Sequence, residues 1–235
     1  MIPDKATPQS TARAARQLLR AHRYGALSTL SKKFDGHPFG SITPYLVDHD
    51  GSLLILISAL AEHTKNIERD PRVSLVSHDQ EDPRIQTQGR VTVVGSASRV
   101  AERNQAGKRY LRYFPDAQTY FDMADFEFYR IVPQAVRYIG GFGDIHWVKA
   151  ENYLAPTYPL VAQEDELIAD VNETQRAAIW RLAMKFHPGK FDLVGIDCDG
   201  FDLRCDQHLL RFDFPTPQLD AVQARAELVR LSELD

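Results

Sequence analysis

Apolar positions first recur at helical spacing. Ala12, Ala15, Leu18 and Leu19 share one side while Arg13, Arg16 and Arg20 take the other, which predicts a packing helix over about 7–22, covering one end of a barrel. The period then shortens, and residues 24–30, 40–47, 53–57, 73–77 and 85–100 read as strands. Turn signals such as Asp35-Gly36 and Asp50-Gly51 bound them. Short strands at regular spacing favour a barrel over a βαβ sheet. The stretch 53–76 is the most informative: a buried strand, a small-residue exit at Ser58 and Ala59, a short helix carrying His63, Thr64, Lys65 and Asn66, then another buried strand. A helix start beside a strand end offers unpaired N–H groups and a positive dipole end, which suits an anion.

Further along, Tyr110, Leu111, Tyr113 and Phe114 at helical intervals, interrupted at Pro115, predict two short helices over 101–125. Residues 126–148 follow as a long strand or a bent pair. Two prolines between aromatic residues mark 153–159 as a linker. Beyond it come a helix over about 164–186, strands over 193–198, 201–205 and 209–214, and a terminal helix opening at Thr216-Pro217. The fold class is therefore mainly β plus α+β: a barrel domain over 1–152 and a small α-β-β-β-α domain over 160–235.

Composition narrows the function classes. With 235 residues and 43% hydrophobic content, the chain can bury a substantial core. Its net charge of -4 and scattered Lys and Arg give no footprint for nucleic acid. The apolar run from Leu53 is too short to span a bilayer and the N-terminus lacks a secretory h-region, so a soluble cytoplasmic protein without membrane partners is expected. Cys198 and Cys205 flank Asp199-Gly200, a hairpin turn that places Cys198 across from Phe201 and Cys205 across from Val194, so no disulfide is expected. Neither a CxxC nor a closely spaced His pair accompanies these thiols to suggest zinc.

Three stretches offer candidate chemistry. Ser41, Thr43 and Ser58 are small hydroxyl residues that line a ligand groove in one reading and are ordinary strand residues in the other. Arg90 sits in a strand of apolar and hydroxyl residues; turned inward it would need an anion, turned outward, the default, it carries little. In the run 138–147, three glycines precede His146 and Trp147. That is either a β-bulge with a half-buried His-Trp pair, or an imidazole able to ligate iron with Asp144 fixing its tautomer. Turn propensity accounts for Asp197, Asp199 and Asp202, and dipole complementarity with a glycine stop accounts for His187-Pro188-Gly189.

The run SALAEHTKN through DPRVSLV, followed by QGRVTVVG and GGFGDIHWV, resembles the FMN-binding split-barrel superfamily that includes pyridoxamine 5'-phosphate oxidase, and more closely its HugZ-like haem-utilisation branch. The resemblance covers roughly residues 10–150; the second domain resembles one often appended in that branch. It implies a homodimer of six-stranded split barrels with two small-molecule cofactor sites at the subunit interface. Flavin-binding members carry an Arg on the second strand and a Lys in the short helix for the FMN phosphate. Here the strand reads Ser41-Ile42-Thr43-Pro44-Tyr45 and the Lys position is His63, leaving Lys65 and a partly protonated His63 as a weaker clamp. The branch implies haem, with His146 as the axial ligand, or else His208, and Lys65, Arg90 or His63 pairing with the propionates. The functional expectation is haem binding and utilisation, extending to oxygen-dependent haem degradation. One alternative is an FMN-dependent oxidoreductase using Ser41, Thr43, Ser58, His63, Thr64 and Lys65; the other is a non-catalytic dimer that binds a partner protein.

Overall fold

The computed structural model describes residues 7–79, 83–84 and 86–234, so the expected strand start at Ile85 lies outside the described residues. The chain divides into two compact units, residues 1–155 and 156–235.

The first unit opens with α1 (Pro8–Ala21). Thr7 caps it by accepting from the Ser10 amide, and Ser10 returns the bond to the Thr7 amide. Ala12, Ala15 and Leu19 bury as expected, but Arg16 and Arg20 do too, at 8% and 2% exposure. Their guanidinium groups donate to the carbonyls of Tyr153 (2.8 Å) and Asp48 (3.2 Å), which lets charged side chains lie inside the fold.

Next come β1 (Tyr24–Leu30), β2 (Pro38–Pro44), the two-residue β3 (Leu46–Val47), β4 (Leu53–Ser58), α2 (Glu62–Arg69), β5 (Arg72–His78), β6 (Arg90–Arg99), α3 (Arg103–Tyr113) and α4 (Gln118–Phe121). The unit ends with β7 (Phe126–Gly141), β8 (Asp144–Lys149) and the one-turn α5 (Ala150–Tyr153). All ladders are antiparallel, in the order β2-β1-β5-β6-β7-β4-β3, with β8 also on β7. The expected strand 40–47 is broken because Tyr45 leaves the ladder: its amide bonds the Arg23 carbonyl and its buried hydroxyl donates to the Leu19 carbonyl.

β7 bends the sheet. Its first half pairs with β4 through Phe126–Ile131 and its second half with β8 through Ala135–Gly141, while β6 follows its other edge throughout. At the switch the register slips between Val94 and Gly95, opposite Pro133, which has no N–H for the ladder. A Cβ on Gly95 would collide with the Val132 carbonyl, so this close approach requires glycine. The curled sheet encloses Leu27, Leu53, Ile55, Leu75, Val91, Val93, Ile131 and Val136, all fully buried. The result is a half-open barrel with α1 against its core.

The linker expectation needs correction: Tyr153 and Tyr158 are both buried, one in each unit, where a solvated spacer would expose them. In the second unit the single expected helix is two, α6 (Leu160–Thr174) and α7 (Arg176–Ala183), separated at Gln175. β9 (Asp192–Asp197), β10 (Gly200–Cys205) and β11 (His208–Asp213) form a meander, followed by α8 (Ala221–Ser232). The last helix starts beyond Thr216-Pro217 because Asp220 supplies the cap, accepting from the Gln223 amide at 2.8 Å.

The β9–β10 register also differs from expectation. Gly200 pairs with Asp197 and Phe201 with Ile196, so Cys198 and Asp199 occupy the turn. Gly200 is there for closeness to β11: a Cβ would collide with the Phe212 carbonyl. On the other side of β10, Cys205 lies opposite His208 of β11, and the two cysteines are not joined in a disulfide. Nor are Asp197, Asp199 and Asp202 exposed turn residues; all are buried, and Arg211 donates to both oxygens of Asp197 (2.8 and 3.0 Å) and to Asp202 (2.9 Å).

Candidate functional site

At the β4–α2 junction most candidate hydroxyls are already engaged. Ser58 Oγ donates to Asp125 (2.7 Å) and accepts from the Leu60 amide, and the buried Thr64 hydroxyl donates to the Ser58 carbonyl at 2.6 Å. Asn66 is buried as well, bonding the Lys32 amide and the Thr29 hydroxyl. These bonds splice the strand exit to the helix and to β1. Lys65 pairs with Glu62 at 3.1 Å on the surface. Burial pushes the His63 imidazole below its ordinary range, which favours the neutral ring at pH 7 rather than the partly protonated one expected. The junction therefore offers a phosphate dianion little beyond Lys65 and backbone amides.

Ser41 and Thr43 lie on β2, paired with Leu27 and Gly25 of β1 and facing the barrel interior with them. They do not share a ladder with Ser58, because β4 pairs with β7 and β3. Ser41 Oγ is shielded from solvent and has no hydrogen-bond partner among the described residues. Arg90 is half-buried on the face opposite Val91 and Val93, so it points away from the core.

His146 lies on β8 across from Tyr138, and Asp144 Oδ1 stands 2.7 Å from its Nε2. A carboxylate accepts, so the contact is made by an Nε2–H, and in the neutral ring Nδ1 is then left with the lone pair that a metal would use. The preceding turn holds Phe142, almost wholly exposed, and Gly143 at φ +84. At Gly140 a Cβ would collide with Asp144 and come within 2.6 Å of the Tyr138 hydroxyl, so that glycine lets Tyr138 and Asp144 crowd beside His146. Burial, with Asp144 adding to it, raises the Tyr138 hydroxyl pKa, leaving it a proton donor at neutral pH. Tyr138 was not singled out in the sequence; counting back across the glycine turn would have put it opposite His146.

Register shows how far apart these groups are. His146 faces Tyr138, Tyr138 faces Val91, and Val91 faces Ser77, while Thr43 faces Gly25 two strands further on. Thr43 and His146 thus sit on opposite edge strands of the β2-to-β8 path, five interstrand steps or roughly 24 Å along the sheet. One chain brings Ser58, His63, Thr64 and Lys65 together. It does not bring His146 or Arg90 to them.

A curled antiparallel sheet with a short helix after its fourth strand defines the split-barrel class. Residues 6–155 match the family described as CREG, beta-barrel, and the chain belongs to it. It is 30% identical to the chloroplastic heme oxygenase HOZ of Arabidopsis thaliana, over 97% of this chain and 74% of that protein. Among solved structures it resembles a protein of unknown function from Agrobacterium tumefaciens, with a TM-score of 0.79 and 25% identity over 98% of each chain. It also resembles a heme binding protein from Mycobacterium smegmatis, with a TM-score of 0.59 and 27% identity over 97% and 98% of the two chains. Among the described residues no helix is long and apolar enough to cross a membrane.

Proposed function

We propose that this protein binds haem through His146 and serves in haem utilisation, including its oxygen-dependent degradation. The observation that carries this reading is the His146–Asp144 pair: an imidazole 38% exposed, held in one tautomer at 2.7 Å, on the edge of the barrel beside Ile145 and Trp147. That is the donor set and outer partner that an iron-ligating histidine uses. The likeness to a heme oxygenase and to a heme binding protein along nearly the whole chain supports it. Bound haem would supply the redox-active iron. The chain's own part is to present Nδ1, hold the Nε2–H against the accepting Asp144 carboxylate, and offer the Tyr138 hydroxyl as a nearby proton donor. Lys65 and Arg90 are the cations for the propionates.

The reading includes a homodimer. On the outer face of the sheet, Ile42, Ala26, Val76, Thr92, Arg137 and Trp147 form one continuous cross-strand row. Ile42 is 68% and Trp147 61% exposed, with Arg137 stacked over the indole at 5.2 Å. A row crossing six strands, apolar but for Thr92 and Arg137 and with exposed Ile42 and Trp147 at its two ends, suits a self-complementary two-fold contact. Such a contact could also bring the separated groups of two copies together at one cofactor.

FMN is the second reading, favoured by the shielded, unpartnered Ser41 hydroxyl. Haemin and FMN titrations followed by absorption decide between them. The expected result is a Soret band that shifts on binding and is altered in His146→Ala. No haem binding at micromolar concentration, or flavin bands that survive dialysis, would overturn the haem assignment.

A further inference from the structure

The second unit contains a group of metal-ligating side chains that the haem reading does not use. After α7 ends, the chain turns through His187-Pro188-Gly189, and the His187 amide still bonds the Ala183 carbonyl at 3.0 Å. The His187 ring stacks on that of His208, with centroids 3.7 Å apart and planes inclined 30°, and meets the buried Phe191 edge-on. His208 begins β11 directly opposite Cys205, the last residue of β10, across a tight turn in which Asp206 takes φ +52. Cys205 in turn packs on the His187 loop: a Cβ on Gly189, at φ +150, would lie 2.6 Å from its sulfur. One thiol and two imidazoles from three points in the sequence therefore come to the open end of one hairpin, with their donor atoms not yet all within 4.8 Å of one another.

A second observation shows that the group lacks something. Nδ1 of His187 is shielded from solvent and has no hydrogen-bond partner among the described residues. A polar atom removed from water and left unmet is unfavourable, and the usual remedies are a protein partner, an ordered water or a metal. Helix-end dipole complementarity does not explain it, since that needs only charge and no particular nitrogen. The thiol is half-buried and free, and His208 is exposed, so an ion has access.

The geometry points to a site for a zinc-like divalent transition metal, formed by Cys205, His187 and His208. One thiolate with two imidazoles is a donor set for borderline-soft ions such as Zn²⁺ or Co²⁺, and three protein ligands leave a fourth position for water or an exogenous group. The stacked rings must open so that their in-plane lone pairs converge on one ion, and Cys205 must release its proton. Among the described residues the group whose donor atoms do lie within 4.8 Å of one another is buried Asp197, Cys198 and Asp199, which is less suited because Arg211 already occupies both oxygens of Asp197.

The test uses the full chain, stripped with chelator and titrated with Co²⁺. Expected are a 1:1 complex with thiolate-to-cobalt charge-transfer absorption in the near ultraviolet, displaced by Zn²⁺, and release of protons into weak buffer. Cys205→Ser should abolish the charge-transfer band, and His187→Ala and His208→Ala should each weaken binding at least tenfold. Should His187→Ala fail to fold, His208→Gln, at an exposed strand end, provides the same comparison. Absence of charge-transfer absorption, or a band that persists in Cys205→Ser, would overturn the proposal. Haem spectra of Cys205→Ser and His187→Ala should match the parent protein, which keeps this site distinct from His146.

Discussion

Asp144→Asn separates two physical roles for the pair at the end of the barrel. The carboxylate lies 2.7 Å from His146 Nε2, and the two side chains are 49% and 38% exposed. As an ordinary surface contact this is worth about 0.2–1 kcal/mol, at most about fivefold in any equilibrium. As the partner of a metal-bound imidazole it fixes the tautomer and raises ligand basicity, and losing such a partner typically costs 10–100-fold in affinity. The half-exposure of the pair argues for the lower end, so the expected loss in haemin affinity is about tenfold. Asn retains the shape and can still accept through its amide oxygen, which limits the change to charge. The assay is a Soret titration of parent, Asp144→Asn and His146→Ala at one pH and salt. A change below about twofold in Asp144→Asn, with His146→Ala equally unaffected, would refute the assignment of the pair as ligand and orienting group.

Other expectations concern the scaffold. Arg211→Met leaves Asp197 and Asp202 buried without their cation and should destabilise the second unit by about 3–5 kcal/mol; a loss under 1 kcal/mol in urea unfolding would contradict this. Gly95→Ala drives a Cβ into the Val132 carbonyl at the bend of β7 and should cost about 1–3 kcal/mol, read as a lower thermal midpoint for the first unit. Burial raises the Asp48 pKa, but Arg109 and Arg130 more than offset it, so the folded value lies below the unfolded one. Its contribution is therefore complete above about pH 4 and lost as pH falls through the folded pKa; Asp48→Asn should flatten that part of the acid unfolding curve. The double variant Ile42→Glu with Trp147→Glu places charges on the outer sheet face and should sediment at the single-chain mass of 26.7 kDa, while the parent sediments at twice that.

The elements most legible in the sequence were those whose patterns answer to local physics. The alternation of β1 and β5, the Asp35-Gly36 turn with both residues at positive φ, and the capped first helix all follow from nearest neighbours. What was not legible depended on distant partners. Arg16 and Arg20 read as a solvent face until carbonyls from Tyr153 and Asp48 take them inside. Gly200 read as a turn glycine, yet it serves the approach of Phe212 from a strand not yet paired, and the β9–β10 register differs from the expected one accordingly. The neutral state of His63 was hidden for the same reason, since its burial comes from tertiary packing rather than from its helix.

The candidate site follows the same division, and this bears on how the function could arise. The helix run around His63 was conspicuous because phosphate cradles have a local signature, but here Ser58, Thr64 and Asn66 use their polar groups to hold the fold together. His146 was marked locally only by three glycines, Trp147 and a carboxylate two residues before it. Its partner Asp144 and the crowding of Tyr138 depend on the bulge between Ile139 and Gly141. A barrel whose junction hydroxyls are committed to structure, and whose His146 lies five interstrand steps from Thr43, fits the proposed ligand chemistry at the sheet edge better than one at the helix start. An edge is also where a second copy can complete a site, so the loss of a phosphate clamp and the proposed use of an interface histidine are two sides of one arrangement.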